Sequence, residues 1–189
     1  IPLLKQWYQR RVHGDPHATA ATKYTAKENT SMATPLILAL LPLLFFSNAA
    51  FAQNTPADYL KVQNAARAEV GVPPLRWNDI LAAYATHYIA TKQATCEFKH
   101  SDGPYGECLA MGYDPTFTAA GAAQMWVDEK KNFCPKAKVC TGGVCGHYTQ
   151  VVWRNTTDVG CARTLCKGKN TYISCNYFPP GNYVGQKPY

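Results

Sequence analysis

The stretch from Gly146 to Tyr183 decides the fold: it begins GHYTQVVWRNTTDVGCARTLC and closes with YISCNYFPPGNY. Three runs within it alternate in polarity and are rich in β-branched and aromatic residues, and short polar breaks separate them. Such a pattern predicts strands joined as an antiparallel meander. The predicted strands are His147–Trp153, Val159–Cys166 and Thr171–Phe178.

Three residues in these runs suggest further structure. Cys161 and Cys175 each fall inside a predicted strand, so a disulfide between them could join one strand to its neighbour. His147 stands at the start of the first predicted strand, where a side chain can turn toward a cleft.

The same residues resemble the CAP superfamily, which contains cysteine-rich secretory proteins, antigen-5-like proteins and pathogenesis-related proteins. GHYTQVVW, GCA and CNYFPPGNY are similar to its paired signatures, and the plant pathogenesis-related class 1 group has the most similar pattern. The likeness extends from about Asp58 to Tyr189 and includes NAARAEVGVPPLRW, HSDGPYGE and MWVDEKK. It implies an α+β fold of the CAP type. This fold is an α-β-α sandwich in which helices flank a small antiparallel sheet and disulfides brace it.

The domain is predicted to cover 53–189, because the sequence before it has the features of an extension and a signal peptide rather than of a folded domain. Ile1–Ser31 lacks apolar periodicity, which indicates an unstructured extension or untranslated upstream sequence. Met32–Ala52 is predicted to be a signal peptide. Its apolar run Leu36–Phe46 is too short for a membrane span of roughly 20 residues, and it ends in the cleavage pattern Ala50-Phe51-Ala52. A signal anchor is the alternative, and it would need a longer apolar run.

Helical patterns precede the predicted strands. Caps, apolar spacing and the breakers Gly71 and Pro73 set their limits. The predicted helices run from Thr55 or Asp58 to Val70, over Asp79–Lys92 with Asn78 as cap, over Glu107–Met111, and from Thr116 or Thr118 to about Asn132. Cys96–Gly106 and Phe133–Gly146 are predicted to be loops, because Gly and Pro interrupt them.

The charge of the chain argues against nucleic-acid binding. The 189 residues carry 19 Lys+Arg and 12 Asp+Glu, a net charge of +7. In residues 53–189 these counts are 14 and 10, a net charge of +4. The basic residues are dispersed, apart from a small cluster at Lys130, Lys131, Lys136 and Lys138. A nucleic-acid site needs a denser basic stripe and a recognised module. A basic surface that suits an acidic wall or a membrane exterior is the better interpretation.

All eight cysteines follow the predicted signal peptide. An even count in an exported chain predicts disulfides, although spacing alone leaves their connectivity open. The family resemblance implies the pairs Cys96–Cys166, Cys140–Cys145 and Cys161–Cys175. Cys108 and Cys134 are additions to that pattern, and we hypothesise a fourth bridge between them.

The candidate chemistry rests on two histidines and two glutamates. The resemblance implies that His100, Glu107, Glu129 and His147 meet in the central cleft of the CAP domain. Imidazoles and carboxylates together can bind Zn²⁺ or shuttle protons. A hydrogen-bonded polar cluster that orders the cleft without catalysis is an equal alternative. Ser101 adjoins His100, but adjacent residues rarely make the hydrogen bond that a nucleophile needs, so a metal-bound water would be the attacking group.

Three further features are candidates for function. By resemblance, Phe133 would contact sterols in a loop after the third helix, with ordinary packing as the alternative. The segment Pro179–Tyr189 is similar to a tail that some relatives release as a signalling peptide, although Phe178 stands where Asp is frequent before the cut. The alternative is a proline-rich tail packed on the sheet. Asn155 begins the sequon Asn-Thr-Thr in a predicted turn, which makes it a candidate glycosylation site.

Taken together, these features predict a secreted, extracellular (apoplastic) monomer that defends a plant against microbes, with antifungal activity. It would bind sterols or other microbial surface components, and it would have no nucleic-acid partner and no stable membrane insertion after signal cleavage. No cofactor is expected to be required, with Zn²⁺ or another divalent cation as the candidate occupant of the cleft. The alternatives are a divalent-metal-dependent hydrolase that uses the His/Glu cleft, and a precursor whose only activity lies in the released tail.

Overall fold

The computed structural model describes residues 53–189, so the predicted upstream extension and signal peptide lie outside the described residues. Four helices and six strands follow one another in this part of the chain. The helices are α1 (Pro56–Glu69), α2 (Asp79–Ala90), α3 (Ala119–Asp128) and α4 (Gly146–Val151). The strands are β1 (Arg76–Trp77), β2 (Gly106–Gly112), β3 (Phe133–Cys134), β4 (Val139–Cys140), β5 (Asp158–Cys166) and β6 (Asn170–Phe178). Among residues 53–189, none of the helices combines the length and apolar character that crossing a bilayer would require.

The first three helices begin at residues whose side chains satisfy free backbone N–H groups. The carboxylate of Asp58 accepts from the backbone N–H of Thr55 at 2.8 Å, which completes a capping box at the start of α1. Asn78 Oδ1 accepts from Ile80 N at 2.9 Å at the start of α2, and Thr118 Oγ1 accepts from Gly121 N at 3.1 Å at the start of α3. The helix predicted from Thr116 or Thr118 to about Asn132 is α-helical only as far as Asp128. Glu129–Asn132 continues it as a 3₁₀ turn.

The main sheet has four strands in the order β1-β5-β6-β2. β6 pairs antiparallel with β5 on one side and with β2 on the other, and the short β1 runs parallel to β5. Cys161 and Cys175 are register partners on β5 and β6, so their disulfide links neighbouring strands as expected. β3 and β4 form a separate two-stranded hairpin.

The predicted strand His147–Trp153 is wrong, because the chain folds there as α4. Tyr148, Val151 and Val152 are all buried, and their i, i+3, i+4 spacing places them on one face of a helix. A strand would have directed alternate residues to opposite sides of the sheet. Packing against the core therefore overrides the strand preference of the Thr and Val residues.

The predicted short helix Glu107–Met111 is also wrong, because these residues lie in β2. The strand pairs with β6 along its whole length, from Gly106 opposite Tyr177 to Gly112 opposite Thr171. Leu, Ala and Met favour helices, but pairing here satisfies the backbone groups on the second side of β6. The central strand of the sheet is therefore β6, and the meander predicted from three consecutive runs does not form.

Helices cover both faces of the sheet, which gives the α-β-α sandwich. On one face, Cys108 and its neighbours pack under α1, α3 and α4. On the other face, Leu109 and Tyr172 pack with Ile89 of α2. At Gly160 the backbone of α2 comes so close that an added Cβ would lie 2.2 Å from the backbone nitrogen of Ala82.

The structure contains three disulfides, Cys96–Cys166, Cys140–Cys145 and Cys161–Cys175. Cys108 and Cys134 are free cysteines, so the hypothesised fourth bridge is not formed. The two lie in different elements: Cys108 is in β2, with its Sγ 4.0 Å from the carbonyl oxygen of His147, and Cys134 is in the β3–β4 hairpin.

Candidate functional site: two histidine–glutamate pairs and the C-terminal segment

The first pair joins a loop to the sheet. His100 lies in the loop before β2, and its Nδ1 is 2.7 Å from Oε1 of Glu107, the second residue of β2. The backbone N–H of Ser101 donates to the same oxygen at 2.9 Å. The Glu107 side chain is only 6% exposed, whereas that of His100 is 57% exposed. The strand thus holds a buried carboxylate that orients an accessible imidazole.

The second pair lies where α3 is followed by α4. Glu129 begins the 3₁₀ turn after α3, and its Oε1 is 2.7 Å from His147 Nδ1. Its Oε2 accepts from the backbone N–H groups of His147 at 2.9 Å and of Tyr148 at 3.4 Å. A carboxylate in this position satisfies free N–H groups in the first turn of α4. The Trp126 ring stacks on the imidazole at 6.3 Å between centroids, which restricts its orientation.

The buried thiol of Cys108 lies close to the second pair. Its backbone neighbour is Glu107, and its Sγ points toward the carbonyl oxygen of His147. Burial raises the pKa of the Cys108 thiol, and the negative charges of Glu129 and Glu107 raise it further. The thiol is therefore protonated at neutral pH, and it packs as a small apolar group.

The structure places the four predicted residues in two histidine–glutamate contacts. Within the part of the chain that the structure describes, no three His, Cys, Asp or Glu side chains are grouped so that they could hold a metal ion. Each imidazole contacts its own glutamate through Nδ1, and metal-bound histidines also contact carboxylates through the ring nitrogen that does not bind the ion.

The neighbouring serine is not arranged as a nucleophile. Ser101 Oγ accepts from the backbone N–H of Gly103 at 3.3 Å, and the hydroxyl of Tyr84 lies 3.4 Å away. No hydrogen bond between described residues joins this hydroxyl to an imidazole. A nucleophilic serine would need that contact for activation.

Sequence reasoning missed two buried polar atoms beside the first pair. Glu107 Oε2 and Asn176 Oδ1 lie in the interior without a hydrogen-bond partner among the described residues. The two residues are register partners on β2 and β6, so their side chains lie on the same face of the sheet. Asn176 belongs to the quoted CNYFPPGNY segment, but its proximity to Glu107 depends on strand pairing between segments about seventy residues apart.

The lipid-contact prediction places Phe133 on a binding surface, but the structure places it in the core. Its side chain is 5% exposed, and its ring lies 5.4 Å from that of Tyr148 and 5.9 Å from that of Tyr189. The packing alternative describes this environment. The large apolar side chains that the same loop exposes are those of Val139 and Val144.

The tail and the sequon take defined positions. The segment Pro179–Tyr189 lies against α4 rather than on the sheet: Gly181 N donates to Gln150 Oε1 at 2.9 Å, and Asn182 Nδ2 donates to the carbonyl oxygen of Gly146 at 2.8 Å. The sequence did not predict that α4 holds the tail, because His147–Trp153 was predicted to be a strand. Asn155 is exposed in the turn between α4 and β5.

Comparison with known proteins agrees with these features. The model of the cysteine-rich secretory protein family, CAP, matches residues 60–177. The chain is 51% identical to pathogenesis-related protein 1B of Nicotiana tabacum over 155 residues, which cover 82% of this chain and 92% of the tobacco protein. It is also 51% identical to a pathogenesis-related protein 1 of Arabidopsis thaliana over 138 residues, which cover 73% of this chain and 84% of that protein.

A solved structure shows the same fold. The venom allergen-like protein 4 of Schistosoma mansoni is 32% identical, with a TM-score of 0.55, and the match covers 70% of this chain and 91% of that chain. The sandwich, the disulfides and the sequence matches lead to one assignment. The chain belongs to the CAP family of cysteine-rich secretory proteins and is of the plant pathogenesis-related protein 1 type.

Proposed function

We propose that this chain acts outside the cell as a monomeric, antifungal defence protein that binds sterols or other components of a microbial surface. Three disulfides suit an oxidising extracellular compartment. Similarity to pathogenesis-related proteins of tobacco and Arabidopsis supports a defence role.

The observation that carries the proposal is the surface of the loop between α3 and α4. Val139 is 50% exposed and Val144 is 66% exposed. The Cys140–Cys145 disulfide and the β3–β4 hairpin restrain the backbone that carries these two valines. The cluster Lys130, Lys131, Lys136 and Lys138 lies in the same segment. Exposed aliphatic groups beside lysines suit a surface that offers apolar sterol and anionic headgroups together. Val139 and Val144 replace Phe133 as the proposed contacts, because Phe133 is buried.

Vesicle binding tests this proposal. Neutral-lipid vesicles with and without sterol are titrated with the chain, and the variant Val139→Ser/Val144→Ser is compared with Leu165→Ser. Leu165 is a 44% exposed aliphatic residue on β5, outside the loop. Loss of the two valine side chains from the contact with sterol should weaken sterol-dependent binding about tenfold. The control should bind like the parent. Absence of saturable sterol-dependent binding by the parent chain would refute the proposal, as would equal binding by the loop variant.

We also propose that the last eleven residues are released as a signalling peptide. The observation that favours this is the exposure of the segment: Phe178 is 50% exposed, and residues 182–187 are exposed. The carbonyl oxygen of Phe178 accepts from Thr157 N at 3.1 Å, so a protease must first unpair the end of β6 from β5. Incubation in apoplastic fluid followed by mass spectrometry tests the release. An intact tail after prolonged incubation would contradict it.

The metal-dependent hydrolase that the sequence offers as an alternative is not proposed. Among the described residues, no three His, Cys, Asp or Glu side chains are grouped so that they could hold a metal ion, and no other observation favours this activity.

A further inference from the structure

The C-terminal segment is held at its start by side chains and backbone of α4. Gly181 N donates to Gln150 Oε1 at 2.9 Å. Asn182 is bound twice: Thr149 Oγ1 donates to its Oδ1 at 2.7 Å, and its Nδ2 donates to the carbonyl oxygen of Gly146 at 2.8 Å. These hydrogen bonds engage the backbone of Gly181 and both polar atoms of the Asn182 side chain.

The shape of this first contact region admits only a small residue. A Cβ added at Gly181 would lie 2.7 Å from Cγ of Trp153, whose side chain is 3% exposed and cannot easily move. Asn182 has a φ of +58°, a left-handed conformation that Asn and Gly adopt more easily than other residues. The Tyr183 ring then packs against Trp153 at 6.2 Å between centroids.

The segment is held again at its very end. Pro188 is buried, and its carbonyl oxygen accepts from the backbone N–H of Arg154 at 2.7 Å. The Tyr189 ring lies 5.9 Å from the Phe133 ring, and Lys138 Nζ lies 3.5 Å from the Tyr189 ring centroid. An aromatic wall and a cation over the ring are the recurrent elements of a site for an aromatic side chain.

Between these two regions the tail makes few contacts. Residues 184–187 are exposed, and Val184 is fully exposed. Two anchored ends with a free centre are typical of peptide recognition by separate pockets, and the second anchor, Tyr189, packs on the edge of the core beside Phe133.

We infer that α4, Arg154 and the β3–β4 hairpin form a peptide-binding groove for a segment that begins with Gly-Asn and ends in Pro-aromatic, and that the chain's own tail occupies it. The groove exists whether or not the tail is ever cut. The inference also deepens the proposed release of the tail and there rests on it: after cleavage at Phe178, the peptide would stay bound in the groove. Dissociation, or displacement by another peptide with a Pro-Tyr end, would then control when the signal is freed.

The docked tail sets an upper limit on the dissociation constant of the free tail peptide for the empty groove. A tail on a short tether experiences an effective concentration of about 1 mM. Since the tail is docked, the same peptide added as a separate molecule should bind an empty groove with a dissociation constant below about 1 mM.

The first experiment measures amide hydrogen exchange in the complete chain. The Arg154 amide reports on the far end of the groove, because it donates to the tail. Tyr189→Ala removes the ring contacts and should speed exchange at Arg154 about tenfold. Val184→Ala changes a fully exposed tail residue and should leave that rate unchanged. Equal protection of the Arg154 amide in the parent and in Tyr189→Ala would overturn the inference.

The second experiment supplies the tail as a separate molecule. Synthetic PPGNYVGQKPY is titrated into the complete Tyr189→Ala chain, whose own tail is loosened, and binding is followed calorimetrically. We expect saturable one-to-one binding and at least tenfold weaker binding by peptides that carry Gly181→Ala or Tyr189→Ala. A peptide that fails to bind, or an alanine-ended peptide that binds equally well, would exclude a groove specific for the aromatic end. Neither readout depends on sterol binding or on a natural protease.

Discussion

Arg67 is the position where a single substitution should be most informative about what stabilises this fold. Its guanidinium is buried without an acidic partner among the described residues, and it donates only to backbone carbonyl oxygens. Nε donates to Pro73 at 2.6 Å, Nη1 to Val151 at 2.8 Å and Trp153 at 2.9 Å, and Nη2 to Thr156 at 2.8 Å. One side chain in α1 thereby joins the loop after that helix to the end of α4 and to the turn before β5.

The cost of Arg67→Met follows from these four bonds. Each hydrogen bond to a charged group contributes about 1.5–3 kcal/mol, so their combined loss is about 6–12 kcal/mol before compensation. Burial lowers the pKa of the Arg67 guanidinium to about 10, because the interior disfavours the charged form. Removing the charge recovers several kcal/mol of that desolvation cost. The net loss of unfolding free energy should be about 3–5 kcal/mol, which lowers Tm by about 10–15 °C in a domain of this size.

Guanidinium denaturation with the disulfides intact measures this loss. Arg67→Lys retains the charge but lacks the planar fork, so it should also cost about 2–4 kcal/mol. Arg76→Met is the matched control, since the Arg76 side chain is 74% exposed in its contact with Asp158, and it should change stability by less than about 0.5 kcal/mol. A loss below about 1 kcal/mol for Arg67→Met would refute the view that this guanidinium holds the four carbonyl groups together.

Three further predictions follow from close approach, capping and tyrosine burial. Gly160→Ala should cost about 2–3 kcal/mol in a thermal melt because its Cβ would strike the backbone of α2, whereas Gly146→Ala, with nothing within 4 Å, should cost far less; equal losses would contradict the close approach. Glu129→Gln should lower unfolding free energy by about 1–3 kcal/mol, because the carboxylate bonds both Nδ1 and the backbone N–H of His147, and an unchanged denaturation midpoint would count against that role. Burial raises the pKa of Tyr172 from its ordinary value of 10 to about 12, so its contribution to stability is present below pH 10 and is lost as the pH rises through 12. Absorbance at 295 nm should detect a tyrosine that ionises only above pH 11, and complete ionisation near pH 10 with the far-ultraviolet spectrum still native would be inconsistent with it.

Local signals predicted the first three helices, α1 to α3, and the strands β5 and β6 well. Asn78 and Thr118 cap the helices that their side chains were predicted to start, and Cys161 and Cys175 lie in neighbouring strands at matched register. Each of these signals depends on side-chain and backbone groups a few residues apart, or on a period-two pattern along one segment. Such information is complete within a short stretch of the chain.

The errors occur where distant packing outweighs local preference. Tyr148 and Val151 have strand propensity but lie in α4, because that helix turns both into a core shared with α1 and α3. Leu109 has helix propensity but lies in β2, because β6 offers an unpaired side there. Neither outcome is visible within ten residues of the segment concerned.

By itself, the amino-acid sequence, through its resemblance to a family, determined the class of the fold, three of the disulfides and the four His and Glu residues worth inspecting. Only the tertiary structure decided that those four side chains form two pairs, that Phe133 is covered by Tyr189, and that the tail lies in a groove beside α4. The physical reason is that caps, strand periods and cysteine counts are properties of short segments. The partner of a carboxylate or an aromatic ring is instead set by which segments meet when the core closes.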